Sequence, residues 1–236
     1  MMTDNGTKFI KKSLPAATIW LTRPQNQVAG IRRQLEQTGC RVLHLPMLEI
    51  VALPCDTTIK SRLMDLDHYQ LIFFVSTNAA TLGMESISQY WPQYPAGLMN
   101  FAVGPGTARV LENYGLEVFY PVQNMNSEAL LALPQLEQIE GKKALIIRGV
   151  GGREVLAEGL RSQGAQVDYL ELYRRDIPQY SPEYLRQCMN NFAPDAVVIS
   201  SAEALQNFVT IMQPHWSALQ HKVQFFVASQ RLSDQA

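Results

Sequence analysis

Residues 18–23 read TIWLTR and residues 144–148 read ALIIR, and each apolar string ends at an arginine, Arg23 or Arg148. After each arginine a Leu follows at 12 residues, a Gly at 16 and a Val at 19. An apolar strand, a helical pattern, a helix-ending Gly and a second strand make a βαβ unit, because Gly suits the left-handed position after a helix. The chain therefore carries a βαβ unit twice, at an offset of about 125 residues.

Two further strand–helix units repeat at nearly the same offset. Residues 71–78, LIFFVSTN, match residues 195–202, DAVVISSA, and residues 101–104, FAVG, match residues 225–228, FFVA. Each is an apolar strand that breaks into small or hydroxyl residues before a helical pattern. Near-continuous apolar strands separated by helices are typical of parallel sheets covered on both faces. We predict an α/β protein with two similar lobes.

The end of the chain is shorter than the repeat predicts. In the first copy, a helix over 107–114 is followed by Gly115 and a strand over 117–120. The equivalents of Gly115 and that strand would begin near position 239, beyond Ala236. We expect either a smaller second lobe or a natural chain that continues with a further strand.

Length, charge and hydropathy limit the classes of function. A chain of 236 residues suits one large domain or two small ones. Twenty Lys and Arg against 21 Asp and Glu give a net charge of −1, which excludes the strongly basic charge of many nucleic-acid binders. No apolar run reaches the roughly 18–20 residues that a membrane span needs. We expect no nucleic-acid partner and no membrane.

The sequence gives no support for a metal or a nucleotide cofactor. The three Cys are far apart without a CxxC pair, and the four His lack metal-ligand spacing, which favours a reducing, cytoplasmic location and no bound metal. Glycine-rich loops at 104–108 and 149–153 follow strands, but Arg109 and Glu154 stand where a dinucleotide fingerprint needs its third Gly. We expect no cofactor.

Polar residues gather where the predicted strands end. In open parallel sheets, ligands bind outside the carboxyl ends of the strands, where helix N-termini offer unpaired N–H groups. Hydroxyl residues also cap helices without any ligand, so both roles stay open for each of them. The same pattern in both lobes favours a shared anion-binding cleft. The candidate binding residues are Arg23, Ser76, Thr77, Asn78, Gly104, Thr107, Arg148, Ser200, Ser201 and Ser229.

Two extended segments, residues 45–51 and residues 170–175, occupy equivalent places in the repeat. Segments of this length at equivalent positions could pair as a two-stranded connector between the lobes. Tyr173 then either faces the cleft or packs on the connector.

A set of short motifs follows in a fixed order from about residue 18 to the end of the chain. They are LTRP at 21–24, the Gly39 turn into a strand with Pro46, VSTNAA at 75–80, VGPGTA at 103–108, IRGVGGR at 147–153, LYR at 172–174, ISS at 199–201 and VASQR at 227–231. Several motifs in register are more specific than any one alone. In this order of motifs the chain resembles the uroporphyrinogen-III synthase family.

The resemblance implies a particular domain organisation. It implies two Rossmann-like or flavodoxin-like lobes of parallel sheet, joined by a two-stranded β-ladder linker. One lobe would combine residues 1–46 with 174–236, the other would be residues 51–170, and the linker crossings would be residues 47–50 and 171–173. The repeat alone favours contiguous halves instead.

The resemblance also implies an activity: a cofactor-free lyase of porphyrin (heme) biosynthesis. Such an enzyme cyclises hydroxymethylbilane, a carboxylate-rich linear tetrapyrrole, to uroporphyrinogen III with loss of water and inversion of ring D. Loss of the ring A hydroxyl gives an electrophilic azafulvene, and ring D attacks it through a spiro intermediate. Because the linear bilane also closes spontaneously to the uninverted isomer, we expect positioning to dominate catalysis.

The same resemblance assigns roles to residues. Tyr173 matches the family's linker tyrosine and is the expected acid for departure of the hydroxyl, since a neutral phenol is a competent donor. Thr107 matches a family threonine at a helix N-terminus and is expected to bind substrate, as is Gln230, which stands where some relatives have a threonine. A monomer is expected. A non-catalytic two-lobed module that binds an anion or senses an effector would explain the lobes, but not Tyr173 at a linker crossing.

Overall fold

The computed structural model describes residues 17–219 and 223–227. Within these residues the chain alternates strands with helices, as the sequence predicts. The strands are β1 (Thr18–Leu21), β2 (Arg41–His44), β3 (Glu49–Ala52), β4 (Leu71–Phe74), β5 (Met99–Ala102), β6 (Val118–Phe119), β7 (Lys143–Gly149), β8 (Gln166–Asp176), β9 (Ala196–Ile199) and β10 (Gln224–Val227).

The α-helices lie between these strands. Four short 3₁₀ turns, at Gln25–Gln27, Leu66–His68, Pro134–Leu136 and Gln213–His215, complete the regular structure of the described residues. The helices are α1 (Ala29–Gln37), α2 (Thr57–Met64), α3 (Thr77–Tyr90), α4 (Pro105–Glu112), α5 (Ser127–Leu131), α6 (Val155–Ser162), α7 (Pro182–Asn191), α8 (Ala202–Met212) and α9 (Trp216–Leu219).

The strands form two sheets, and parallel pairing predominates in both. One sheet has the order β10-β9-β1-β2, and all three pairs are parallel. The other has the order β3-β8-β7-β4-β5-β6, and its four pairs from β8 to β6 are parallel. The predicted mixed α/β class with parallel sheets is confirmed.

The chain divides into two compact units. The first unit contains the described residues up to Glu49 and those from Asp176 onward, and the second is Ile50–Arg175. The contiguous halves favoured by the repeat are wrong, because β1 of the first copy pairs with β9 of the second. The chain passes from one unit to the other within β3 and returns within β8.

In the second unit, both faces of the sheet are buried, which explains the continuous apolar strand β4. Ile72 and Phe74 pack in one core cluster with helices α2, α3 and α4, whereas Leu71 and Phe73 pack in another with α5 and α6. Alternate residues of a strand point to opposite faces, so a strand covered on both sides must be apolar throughout. The rings of Phe73 and Phe101 stack with centroids 4.7 Å apart.

The first unit has its own core, centred on Trp20. Its side chain is fully buried among residues of β9 and α8, including Val197 and Phe208. The indole nitrogen donates a 2.7 Å hydrogen bond to the carbonyl oxygen of Phe192, which satisfies its polar atom. The predicted helix-ending glycines are confirmed, because Gly39 and Gly164 have φ of +88° and +87°.

Candidate functional site

A pocket of about 330 Å³ lies at the carboxyl ends of the second unit's strands. Its walls include Val75 after β4, Val103 after β5 and Arg148 near the end of β7, with Leu156 of α6 alongside. This is the edge at which open parallel sheets bind ligands. Of the residues predicted as a site, Arg148 and Tyr173 line this pocket.

Tyr173 lies on β8 and is only 1% exposed. Its hydroxyl is 2.9 Å from Oγ of Ser76, where α3 begins. The side chain packs in the core cluster of the second unit and also forms part of the pocket wall. Gly149 makes room for it, since a Cβ at that position would lie 2.5 Å from Cε2 of Tyr173.

Arg148 is held in place by its neighbours in the same unit. Its Nη1 lies 3.0 Å from Oε1 of Glu154, its Nε donates to the carbonyl oxygen of Gly149, and its Nη2 donates to that of Gly151. The guanidinium also lies over the ring of Tyr169, 4.9 Å from the centroid. Only 6% of the side chain is exposed, so the guanidinium organises the glycine-rich loop at 149–153.

The first turns of α3 and α4 adjoin, and α3 begins beside Tyr173. Oγ of Ser76 caps α3 by accepting the N–H of Ala79, and a Cβ at Gly106 would lie 3.7 Å from the Thr77 side chain. At this edge the side chains of Asn78 and Thr107 are buried. The predicted residues Ser76, Thr77, Asn78, Gly104 and Thr107 therefore share one edge of the second unit.

The predicted residues of the first unit lie at the ends of neighbouring strands. Arg23 follows β1, and Ser200 and Ser201 follow β9, which pairs with β1. Oγ of Ser201 caps α8 by accepting a hydrogen bond from the N–H of Ala204 at 3.1 Å. The backbone oxygen of Arg23 accepts a hydrogen bond from the His44 ring at 2.8 Å. Ser229 and Gln230 lie outside the described residues.

Sequence reasoning missed several residues at this edge. Tyr169, Arg153 and Arg175 line the pocket with Tyr173. The side chain of Met125 lies against Gly104, where a Cβ would be 3.2 Å from its Cγ. Spacing along β8 gave no signal for Tyr169, because the register of β8 shifts between Glu171 and Tyr173, and Tyr169 and Tyr173 pack in different core clusters.

We expect Glu154→Gln to lower the thermal stability at neutral pH. Hydrogen bonds from Tyr169 and from Arg148 hold the pKa of the Glu154 carboxyl below its ordinary value. A carboxyl with a lowered folded-state pKa stabilises the fold above its unfolded pKa and loses that contribution as the pH falls through the folded pKa. Thermal unfolding should therefore show a Tm difference between wild type and Glu154→Gln that is largest at neutral pH and shrinks in acid.

The control for this variant is Glu158→Gln, which removes an exposed carboxylate from α6 itself. Its Tm should stay near that of the wild type at each pH. A Tm difference for Glu154→Gln that does not change with pH would contradict an ionised Glu154 as the partner of Arg148.

Within residues 17–219 and 223–227, no cluster of His, Cys, Asp and Glu is arranged to hold a metal ion. Over the same residues, none of the helices combines the length and the apolar character that crossing a bilayer demands.

Comparison with known proteins places the chain in a family. The family model described as "Uroporphyrinogen-III synthase HemD" matches residues 30–236. Uroporphyrinogen-III synthase of Salmonella typhimurium is 31% identical over 92% of this chain and 89% of its own length. The Escherichia coli protein of the same name is 31% identical over 84% of this chain and 81% of its own length.

Solved structures show a similar fold. A mutant uroporphyrinogen III synthase of Thermus thermophilus has a TM-score of 0.60 at 20% identity, covering 93% of this chain and 87% of that one. The Helicobacter pylori synthetase has a TM-score of 0.57 at 15% identity, covering 93% and 89%. At these identities the likeness concerns the fold, whereas the family model and the sequence relatives identify the family. The chain belongs to the uroporphyrinogen-III synthase family.

Proposed function

We propose that this protein cyclises hydroxymethylbilane to uroporphyrinogen III, with loss of water and inversion of ring D, in tetrapyrrole (heme) biosynthesis. It would act as a lyase without a cofactor. The observation that carries the proposal within the structure is the hydroxyl of Tyr173, held 2.9 Å from Ser76 beside the strand-end pocket. The family match over residues 30–236 favours this enzyme over a non-catalytic binding module.

The contact with Ser76 supports Tyr173 as the acid. Oγ of Ser76 already accepts the N–H of Ala79, so its own proton is available to donate to the Tyr173 oxygen. In that arrangement the phenol proton points away from Ser76 and is available to the departing hydroxyl of ring A. Proton transfer to a leaving group is the step that a positioned neutral phenol assists.

The first turns of α3 and α4 support carboxylate binding at the same edge. The positive dipole end of a helix N-terminus attracts anions without a basic side chain. In the first turn of α4, Gly106 is the residue that offers an N–H, because Pro105 has none and the N–H of Thr107 donates to the carbonyl oxygen of Gly104 at 3.1 Å. We propose that the α4 turn containing Thr107 binds carboxylates of the substrate, together with the α3 turn. In the first unit, Arg23, Ser200 and Ser201 stay predictions for substrate contact, as do Ser229 and Gln230.

The domain organisation supports the same proposal. We propose that the two compact units are the two lobes of the family. β3 and β8 contain both chain crossings and are neighbours in one sheet, as expected of a β-ladder linker. A cytoplasmic monomer stays a prediction.

The test is isomer-resolved activity. Purified protein given freshly made hydroxymethylbilane should yield mainly the III isomer on chromatography of the oxidised products, and a reaction without protein should yield the I isomer. If the protein yields only the I isomer at the spontaneous rate, it is not a uroporphyrinogen-III synthase.

A further inference from the structure

The pocket of the second unit has an unbalanced charge. Among the described residues, fourteen line it; three of them, Arg148, Arg153 and Arg175, are arginines, and none is Asp or Glu. The positive charge of Arg148 is offset from outside the pocket by Glu154 at 3.0 Å and by Glu171 at 3.9 Å. The surplus charge therefore comes from the other two arginines.

Arg153 and Arg175 are both exposed. In the part of the chain that the structure describes, neither has a carboxylate within 4.0 Å, whereas Arg148 has two. An exposed guanidinium without a partner keeps its donors available for a ligand, and its planar fork matches a carboxylate in two parallel hydrogen bonds. The pocket thus offers two arginines to an anionic ligand.

The size of the pocket limits what enters it. Its volume of about 330 Å³ is at the lower end of the range typical of small-molecule sites, so it suits one ring of a tetrapyrrole better than all four. The wall also contains aromatic and apolar side chains, among them Tyr169, Tyr173, Val75 and Leu156. Aromatic walls suit the flat face of a pyrrole ring.

We propose that this pocket is a subsite for a single pyrrole ring of the substrate, with Arg153 and Arg175 binding the acetate and propionate of that ring. The identity of the ligand rests on the proposed function, whereas the anion chemistry rests on the arginines alone. Arg148 shapes the site by donating to the carbonyl oxygens of Gly149 and Gly151. The two exposed arginines are thus determinants of substrate binding separate from the helix N-termini.

The direct test uses a monopyrrole that carries one acetate and one propionate. Titration of the full-length protein, followed by NMR, should shift the amide signals of Gly149, Gly151 and Gly152. Arg153→Gln and Arg175→Gln should each raise the Kd about tenfold, since each removes a charge-assisted pair of hydrogen bonds. The matched control is Arg33→Gln, which removes an exposed arginine from α1 and should leave the Kd unchanged.

The outcomes separate this subsite from the proposed function. The subsite is refuted if both glutamine variants bind the monopyrrole as the wild type does. It is also refuted if no loop amide shifts at a ligand concentration on the order of 10 mM, which would saturate a site with a Kd near 1 mM. Formation of only the I isomer by the wild type refutes the proposed function. The monopyrrole titration measures binding without turnover, so its result on the two arginines does not depend on that assay.

Discussion

Tyr173→Phe should lower the kcat for uroporphyrinogen III about tenfold to a hundredfold and leave the affinity for the product nearly unchanged. We expect a decrease in rate no larger than the lower end of the rate enhancement that general acids provide. The reason is that positioning of the bilane contributes most of the catalysis. The ring of Phe still fills the space beside Gly149, so the pocket wall remains. The measurement is the rate of formation of the III isomer, together with titration of the product.

Tyr94→Phe is the matched control, because it removes a phenol hydroxyl from the same unit away from the pocket. That hydroxyl donates to Oδ1 of Asn100 at 2.5 Å, and burial raises the pKa of Tyr94. Its loss should reduce stability by about 1 kcal/mol and leave kcat unchanged. If Tyr173→Phe keeps the wild-type kcat in a folded protein, Tyr173 has no role in proton transfer.

The fold could be predicted from local sequence to the level of strands, helices and class. The run Leu71–Phe74 indicated a strand buried on both faces, and Gly39 and Gly164 marked helix ends correctly. The assignment of strands to sheets could not be predicted from the repeat. It depends on pairing between distant segments, such as β1 with β9, and equivalent βαβ units carry no local information on which partner each strand takes.

For the site, too, local features could be predicted from the sequence, whereas contacts between distant residues could not. Ser76 and Ser201 were placed correctly at helix starts, because capping is a local property. The contact between Ser76 and Tyr173 joins residues 97 positions apart, so spacing gives no sign of it. Arg148 was expected at a binding edge, but the sequence could not show that Glu154 and the loop carbonyls occupy its donors.

Gly149 ends β7 at the start of the glycine-rich loop and lies directly against the ring of Tyr173. A Cβ on Gly149 would lie 2.5 Å from Cε2 and 2.8 Å from Cζ of Tyr173, and real side chains do not approach so closely. The aromatic ring has little freedom to give way, because its hydroxyl contacts Ser76 and its side chain is almost fully buried. Glycine in a strand often marks such a close approach.

Gly149→Ala should therefore displace the Tyr173 ring, reduce kcat at least as much as Tyr173→Phe and destabilise the fold by about 1–3 kcal/mol. Gly30→Ala is the control. Among the described residues, no heavy atom outside its chain neighbours and its own helix backbone lies within 4 Å of the Gly30 Cβ position, so activity should hold and stability should rise by up to about 1 kcal/mol. The decisive measurement is the double variant Gly149→Ala with Tyr173→Phe. If Gly149 acts by placing the phenol, kcat of the double variant should be close to that of Gly149→Ala alone, since two changes that remove the same group do not add. Fully additive losses would show that Gly149 affects turnover by a route other than the Tyr173 hydroxyl.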